Sequence, residues 1–129
     1  MKDRLKKGFW NVLMVIAIIV LASMIISKAV TGWSSVFSYR VFYIMSESME
    51  PVIAENGFVI GRVLPKDEMP QVGNIYAYKR EGILGQEIVI HRLIAVMDDG
   101  RCQFQGDNNE VPDEALVERE DIGYEVIGD

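Results

Sequence analysis

Ser48 and His91 are of types that combine into an activated hydroxyl nucleophile. Ser48 lies in the hexapeptide Ser46-Glu47-Ser48-Met49-Glu50-Pro51, and His91 is the chain's only histidine. A serine hydroxyl is a weak nucleophile at its free pKa and needs a base beside it. An imidazole titrates near neutral pH and is the obvious base. A carboxylate that fixes the imidazole tautomer would complete the set. Asp107 and Asp113 share one turn-rich stretch, Gly106-Asp107-Asn108-Asn109-Glu110-Val111-Pro112-Asp113, and either could serve. Taken from residue types alone the pattern is weak. A lone histidine in a strand is more often a satisfied structural residue, and Gly-Asp-Asn-Asn is an ordinary turn.

These residues need elements to hold them. Pro51 fixes a turn just after Ser48. His91 sits within Ile88-Val89-Ile90-His91-Arg92-Leu93-Ile94, whose β-branched side chains favour a strand. Further short runs read as strands: Val41 to Met45, Gly57 to Val63, Asn74 to Lys79, Glu87 to Val96, Cys102 to Phe104, and Gly123 to Ile127. Turn formers separate them, among them Asn56-Gly57, Pro65, Pro70, Gly73 and Asp98-Asp99-Gly100. Six short strands with frequent turns predict a mainly β fold, a small antiparallel β domain. Ala115 to Arg119 is the one stretch expected to form a helical turn.

The chain's N-terminal part is of another kind. From Gly8 to Ser27 no side chain is charged. As a helix that run would be about 30 Å long, the thickness of a bilayer core. It is apolar all round rather than striped, which argues against a buried core helix. It exceeds the usual h-region of a cleaved secretory signal, so an uncleaved anchor is the expectation. The organisation predicted is a cytoplasmic tail over residues 1–7, one transmembrane helix over 8–28, a linker over 29–40, and an extracytoplasmic β domain over 41–129. Lys2, Arg4, Lys6 and Lys7 stand against Asp3 before the run, whereas eight basic residues face 18 acidic ones after Lys28. The positive-inside rule then places the N-terminus in the cytoplasm of a single-pass protein of the cell membrane. Trp33, Phe37 and Tyr39 would fall near the outer interface, or pack onto the domain.

Composition narrows the partners. The chain of 129 residues has a formal net charge of −6, which argues against nucleic acid. A single cysteine, Cys102, permits no intrachain disulfide, and one His with one Cys cannot supply the three or four ligands of a zinc site without carboxylates filling in. No metal and no organic cofactor is expected. The lipid bilayer is the expected partner of the anchor.

The ordered set Ser46-Glu47-Ser48-Met49-Glu50-Pro51, Val89-Ile90-His91-Arg92 and Gly106-Asp107-Asn108-Asn109 with Asp113, behind an N-terminal anchor, resembles the type I signal peptidase family. Val72-Gly73-Asn74-Ile75-Tyr76-Ala77-Tyr78 is similar to a strand box of that family, and Asp121 to Gly128 to its closing strand. His91 followed by Arg92 resembles the branch of the endoplasmic reticulum, archaea and some Gram-positive bacteria, where histidine replaces the lysine base. The resemblance implies a serine endopeptidase that removes signal peptides from exported preproteins. It implies Ser48 as nucleophile, His91 as general base, Asp113 as the third member with Asp107 as support or alternative, and Ser46 as a hydroxyl that helps hold the oxyanion. Asn74 departs from the family's usual Asp, and Pro112 stands where this branch often carries an acid. Accessory subunits are left open. The competing expectation is a non-catalytic homologue that chaperones or assembles surface or pilus proteins; retention of both Ser48 and His91 speaks against it. A self-cleaving regulator of the serine–lysine type is disfavoured by the anchor and the histidine base.

Overall fold

The computed structural model describes residues 1–31 and 35–128; Trp33, one of the three predicted interface aromatics, lies outside them. The chain divides into two compact units, residues Met1–Ser38 and Tyr39–Asp129.

The first unit is dominated by one helix, α1 (Lys2–Thr31), which includes the whole uncharged run. It is long and apolar enough to cross a membrane, and none of its residues is buried against protein. A helix whose large aliphatic side chains are exposed all round has no protein core to explain them. After α1 the chain returns along it. Ser35 and Ser27 share a hydrogen bond between their hydroxyls, and the Phe37 N–H donates to Ser23 Oγ at 3.1 Å. Phe37 and Ser38 both take positive φ, 48° and 72°.

The second unit is a six-stranded antiparallel sheet. Its strands are β1 (Tyr39–Tyr43), β2 (Phe58–Val63), β3 (Ile75–Gly82), β4 (Gly85–Val96), β5 (Cys102–Gln105) and β6 (Ile122–Gly128). Their order across the sheet is β1-β2-β6-β3-β4-β5. The predicted mainly β fold with one N-terminal apolar helix is what forms. The predicted helical turn is displaced: a short 3-10 helix spans Arg119–Asp121, past Ala115. Val117 is drawn instead into a bridge with Cys102, each N–H donating to the other's carbonyl at 2.8 Å.

Side-chain alternation sets which face of each strand is buried. On β3 and β4 the core face carries Tyr76, Tyr78, Val89, His91 and Leu93, since Tyr76 pairs with His91 and Tyr78 with Val89. Tyr78 stacks on Phe104 of β5, their ring centroids 4.3 Å apart. Leu64, Cys102, Val117 and Ile122 close this core. The imidazole of His91 therefore sits on an apolar face that also holds a stacked aromatic pair. Truncating Phe104 to Ala should cost about 3–5 kcal/mol, the usual range for a fully buried aromatic. Chemical denaturation of the full chain in detergent checks this; a loss below about 1 kcal/mol would mean that the stack does not hold the core.

Candidate active site

Ser48 opens a turn that follows β1. The Glu50 N–H donates to Glu47 O at 3.0 Å and the Ile53 N–H to Met49 O at 2.9 Å. Pro51, in a cis peptide bond with Glu50, continues that turn. Met49 is the turn's inward anchor, 1% exposed, and its sulfur accepts the Asp107 N–H at 3.4 Å. Met45 and Met69, by contrast, are exposed.

A second loop clamps the serine's backbone from the other side. The Asn108 N–H donates to Ser48 O at 2.8 Å, and Asn108 Nδ2 donates to Glu47 O at 3.1 Å. Gly106 makes this approach possible: a Cβ there would lie 2.6 Å from Ser48 O, inside any tolerable contact. The glycine is thus required by the backbone packed against it.

His91 bridges the two loops. Its Nε2 is 3.1 Å from Ser48 Oγ and its Nδ1 is 2.7 Å from Asp113 Oδ2. The His91 and Asp113 side chains are 8% and 13% exposed, so water competes little for their hydrogen bond. An ionised carboxylate at Nδ1 favours the tautomer with its proton on Nδ1, which leaves the Nε2 lone pair facing the serine. Ser46 Oγ stands 3.1 Å from Ser48 Oγ, on the exposed rim.

Asp113 is placed by two further bonds. Its N–H donates to Phe104 O at 2.9 Å, so Pro112 does not prevent it from reaching the site. The Tyr78 hydroxyl donates to the same carboxylate oxygen as His91, at 2.7 Å. Sequence reasoning assigned no role to Tyr78. The available signal was register: a residue two along from the partner of His91, on the same face, reaches what His91 reaches. Burial, and then the bond to Asp113, push the Tyr78 hydroxyl far above its ordinary value. It stays a neutral donor throughout the physiological range.

Asp107 is occupied elsewhere. Arg92, on the opposite face of β4 from His91, takes both its oxygens in a fork, Nε to Oδ1 at 2.8 Å and Nη2 to Oδ2 at 2.6 Å. Arg92 Nη1 also donates to Gly73 O at 2.6 Å. This bidentate pair ties the loop after β5 to the turn before β3. The geometry brings Ser48, His91, Asp113 and Ser46 together and sets Asp107 to pinning the loop that carries Asn108. Cys102 is buried, and burial pushes its thiol up, which keeps it unreactive. Among the described residues no group of three His, Cys, Asp or Glu is arranged to hold a metal ion.

No protein-family model matches the chain, and no curated protein matches it. What the site can do rests on its own geometry: a half-buried hydroxyl, an imidazole with one nitrogen turned to it, and a carboxylate behind the other nitrogen.

Tyr78 also carries a pH signature. Its folded pKa lies above the unfolded value of about 10, so its contribution to stability is whole below that pH and is lost as the pH rises beyond it. Tyr78→Phe should therefore lose less stability than the parent chain between pH 8 and pH 11, read as the shift in denaturant midpoint. Tyr124, whose hydroxyl burial also raises, contributes equally to both proteins. Identical alkaline slopes would contradict the placement of Tyr78.

Proposed function

We propose that this chain is a membrane-anchored serine endopeptidase that removes signal peptides from exported preproteins, akin to the Ser–His branch of type I signal peptidases. The observation that carries the reading is the continuous hydrogen-bonded line from Ser48 Oγ through His91 to Asp113. Such a line converts a hydroxyl into a nucleophile at neutral pH.

In this reading Ser48 Oγ attacks the scissile carbonyl while His91 Nε2 takes its proton. Asp113 stabilises the imidazolium that forms. The oxyanion is held by the Ser48 backbone N–H with Ser46 Oγ in support. Collapse breaks the C–N bond, His91 delivers its proton to the leaving amine, and the mature protein departs. The signal peptide remains as an ester on Ser48. Water, deprotonated by His91, then hydrolyses the ester and returns the serine. No step calls for a metal or an organic cofactor.

The preprotein would lie as an extended strand with small residues just before the cut. The apolar helix would hold the enzyme in the cell membrane, with its basic N-terminus in the cytoplasm and the β domain outside. The bilayer then brings enzyme and substrate together, since a signal peptide is itself membrane-borne.

The test is cleavage of a signal-peptide-bearing precursor by the full chain in detergent. Ser48→Ala and His91→Ala should lower the rate by about 10³-fold or more while leaving the domain folded. Asp113→Asn should fall comparably. Asp107→Asn should lose stability through the Arg92 pair yet keep most of its turnover. If Ser48→Ala and His91→Ala both cleave like the parent, the catalytic reading fails and the chain is better treated as a chaperone or assembly factor for surface or pilus proteins.

A further inference from the structure

Tyr78 carries a hydroxyl that its packing does not need. The side chain is 1% exposed, and its ring stacks on Phe104. A phenylalanine would make the same stack. Burying a hydroxyl costs free energy unless an acceptor meets it, so the core alone favours the ring without the oxygen. The acceptor that meets it is Asp113 Oδ2, at 2.7 Å, the same atom that His91 Nδ1 reaches at 2.7 Å.

The ring makes a second contact. It meets the His91 imidazole edge-on, with centroids 6.5 Å apart and planes at 68°. Tyr78 therefore touches both partners of the His91–Asp113 bond, the imidazole through its ring and the carboxylate through its hydroxyl. The sheet is irregular at this point. The pairing of β3 with β6 shifts between Ala77, opposite Tyr124, and Tyr78, opposite Ile122, so that Gly123 is the extra residue of a bulge. A bulge adds local twist and re-aims the side chain beside it.

Asp113 needs such a tie. It lies in irregular chain between β5 and the 3-10 helix, outside any strand. The bond from its N–H to Phe104 O fixes its backbone. That leaves the carboxylate, whose terminal torsion is broad and two-fold. One donor alone does not stop it from rocking about that torsion. Two donors on a single oxygen, from neighbouring strands, do. Asp113 is thereby located by three strands: β3 through Tyr78, β4 through His91 and β5 through Phe104. Because burial keeps the Tyr78 hydroxyl protonated, it remains a donor throughout.

From this geometry we infer that Tyr78 is a positioning residue of the reaction: its hydroxyl holds Asp113 Oδ2 against His91 Nδ1, so that the Nε2 lone pair stays aimed at Ser48 during turnover. This role rests on the serine endopeptidase reading above. It adds to Ser48, His91 and Asp113 a fourth side chain that acts only through the carboxylate and the imidazole.

The test is Tyr78→Phe in the full chain in detergent, which deletes the hydroxyl and leaves both ring contacts. Ile122→Val, a trimming of the same core, is the control. Two quantities are read: kcat and KM for a signal-peptide-bearing precursor, and the His91 Nδ1 proton resonance of the histidine-labelled protein. Tyr78→Phe should lower kcat about tenfold with KM within about twofold of the parent, the pattern of a contact used in the transition state. Its Nδ1 proton should move upfield, towards free imidazole, as the bond to Asp113 loosens. Ile122→Val should change neither, although it also weakens the core. A kcat for Tyr78→Phe within about twofold of the parent would overturn the role. So would a resonance that stays in place or moves further downfield, or equal losses in Ile122→Val. If the parent cleaves no precursor, the peptidase reading fails by itself, and the resonance alone decides whether Tyr78 holds Asp113 to His91.

Discussion

The hydrogen bond between His91 Nδ1 and Asp113 Oδ2, 2.7 Å long and largely shielded from water, is the interaction on which the site depends. It selects the tautomer, and the tautomer decides whether Nε2 can accept the Ser48 proton. Everything around it acts to keep that bond in one geometry. Tyr78 donates to the same oxygen from within the core, and its stack on Phe104 holds the ring. Phe104 in turn accepts the Asp113 N–H through its backbone. The core is thus continuous with the site: the aromatic packing that stabilises β3 and β5 also orients the carboxylate.

A second constraint is steric. The serine turn and the loop after β5 approach so closely that Gly106 has no room for a side chain. The clamp has three ties, the two bonds from Asn108 and the Met49 contact with the Asp107 N–H. The Arg92–Asp107 fork fixes the loop from the other face of β4. Adjacent residues of one strand, His91 and Arg92, therefore serve opposite faces. One faces the Ser48 hydroxyl, and the other holds the loop that holds the Ser48 backbone. Arg92→Lys would lose the fork, because an ammonium cannot present two parallel donors.

Much of this was legible in the sequence. The six strands follow from β-branched runs between turn formers, and their boundaries shift by only a few residues. The apolar helix follows from the absence of charge over Gly8 to Ser27. Ser48 and His91 stand out by type, and Asp113 and Asp107 by lying in one loop. The choice between the two aspartates was not legible, because it depends on which face of β4 each meets, and that is set by strand register. Tyr78 was hidden for the same reason: pairing across β3 and β4 brings it to Asp113, 35 positions away in sequence. The displaced 3-10 helix shows a tertiary bridge, Val117 to Cys102, overriding local helix preference.

The chain's single histidine makes the central claim directly measurable. In a long-range nitrogen–proton correlation spectrum of the histidine-labelled protein, taken where the imidazole is neutral, one ring gives all the signals. The expected pattern is a proton on Nδ1, shifted downfield by Asp113, and a bare Nε2. Asp113→Asn should abolish the downfield shift. A proton found on Nε2, or an averaged pattern like that of free imidazole, would mean that Asp113 does not set the tautomer of His91.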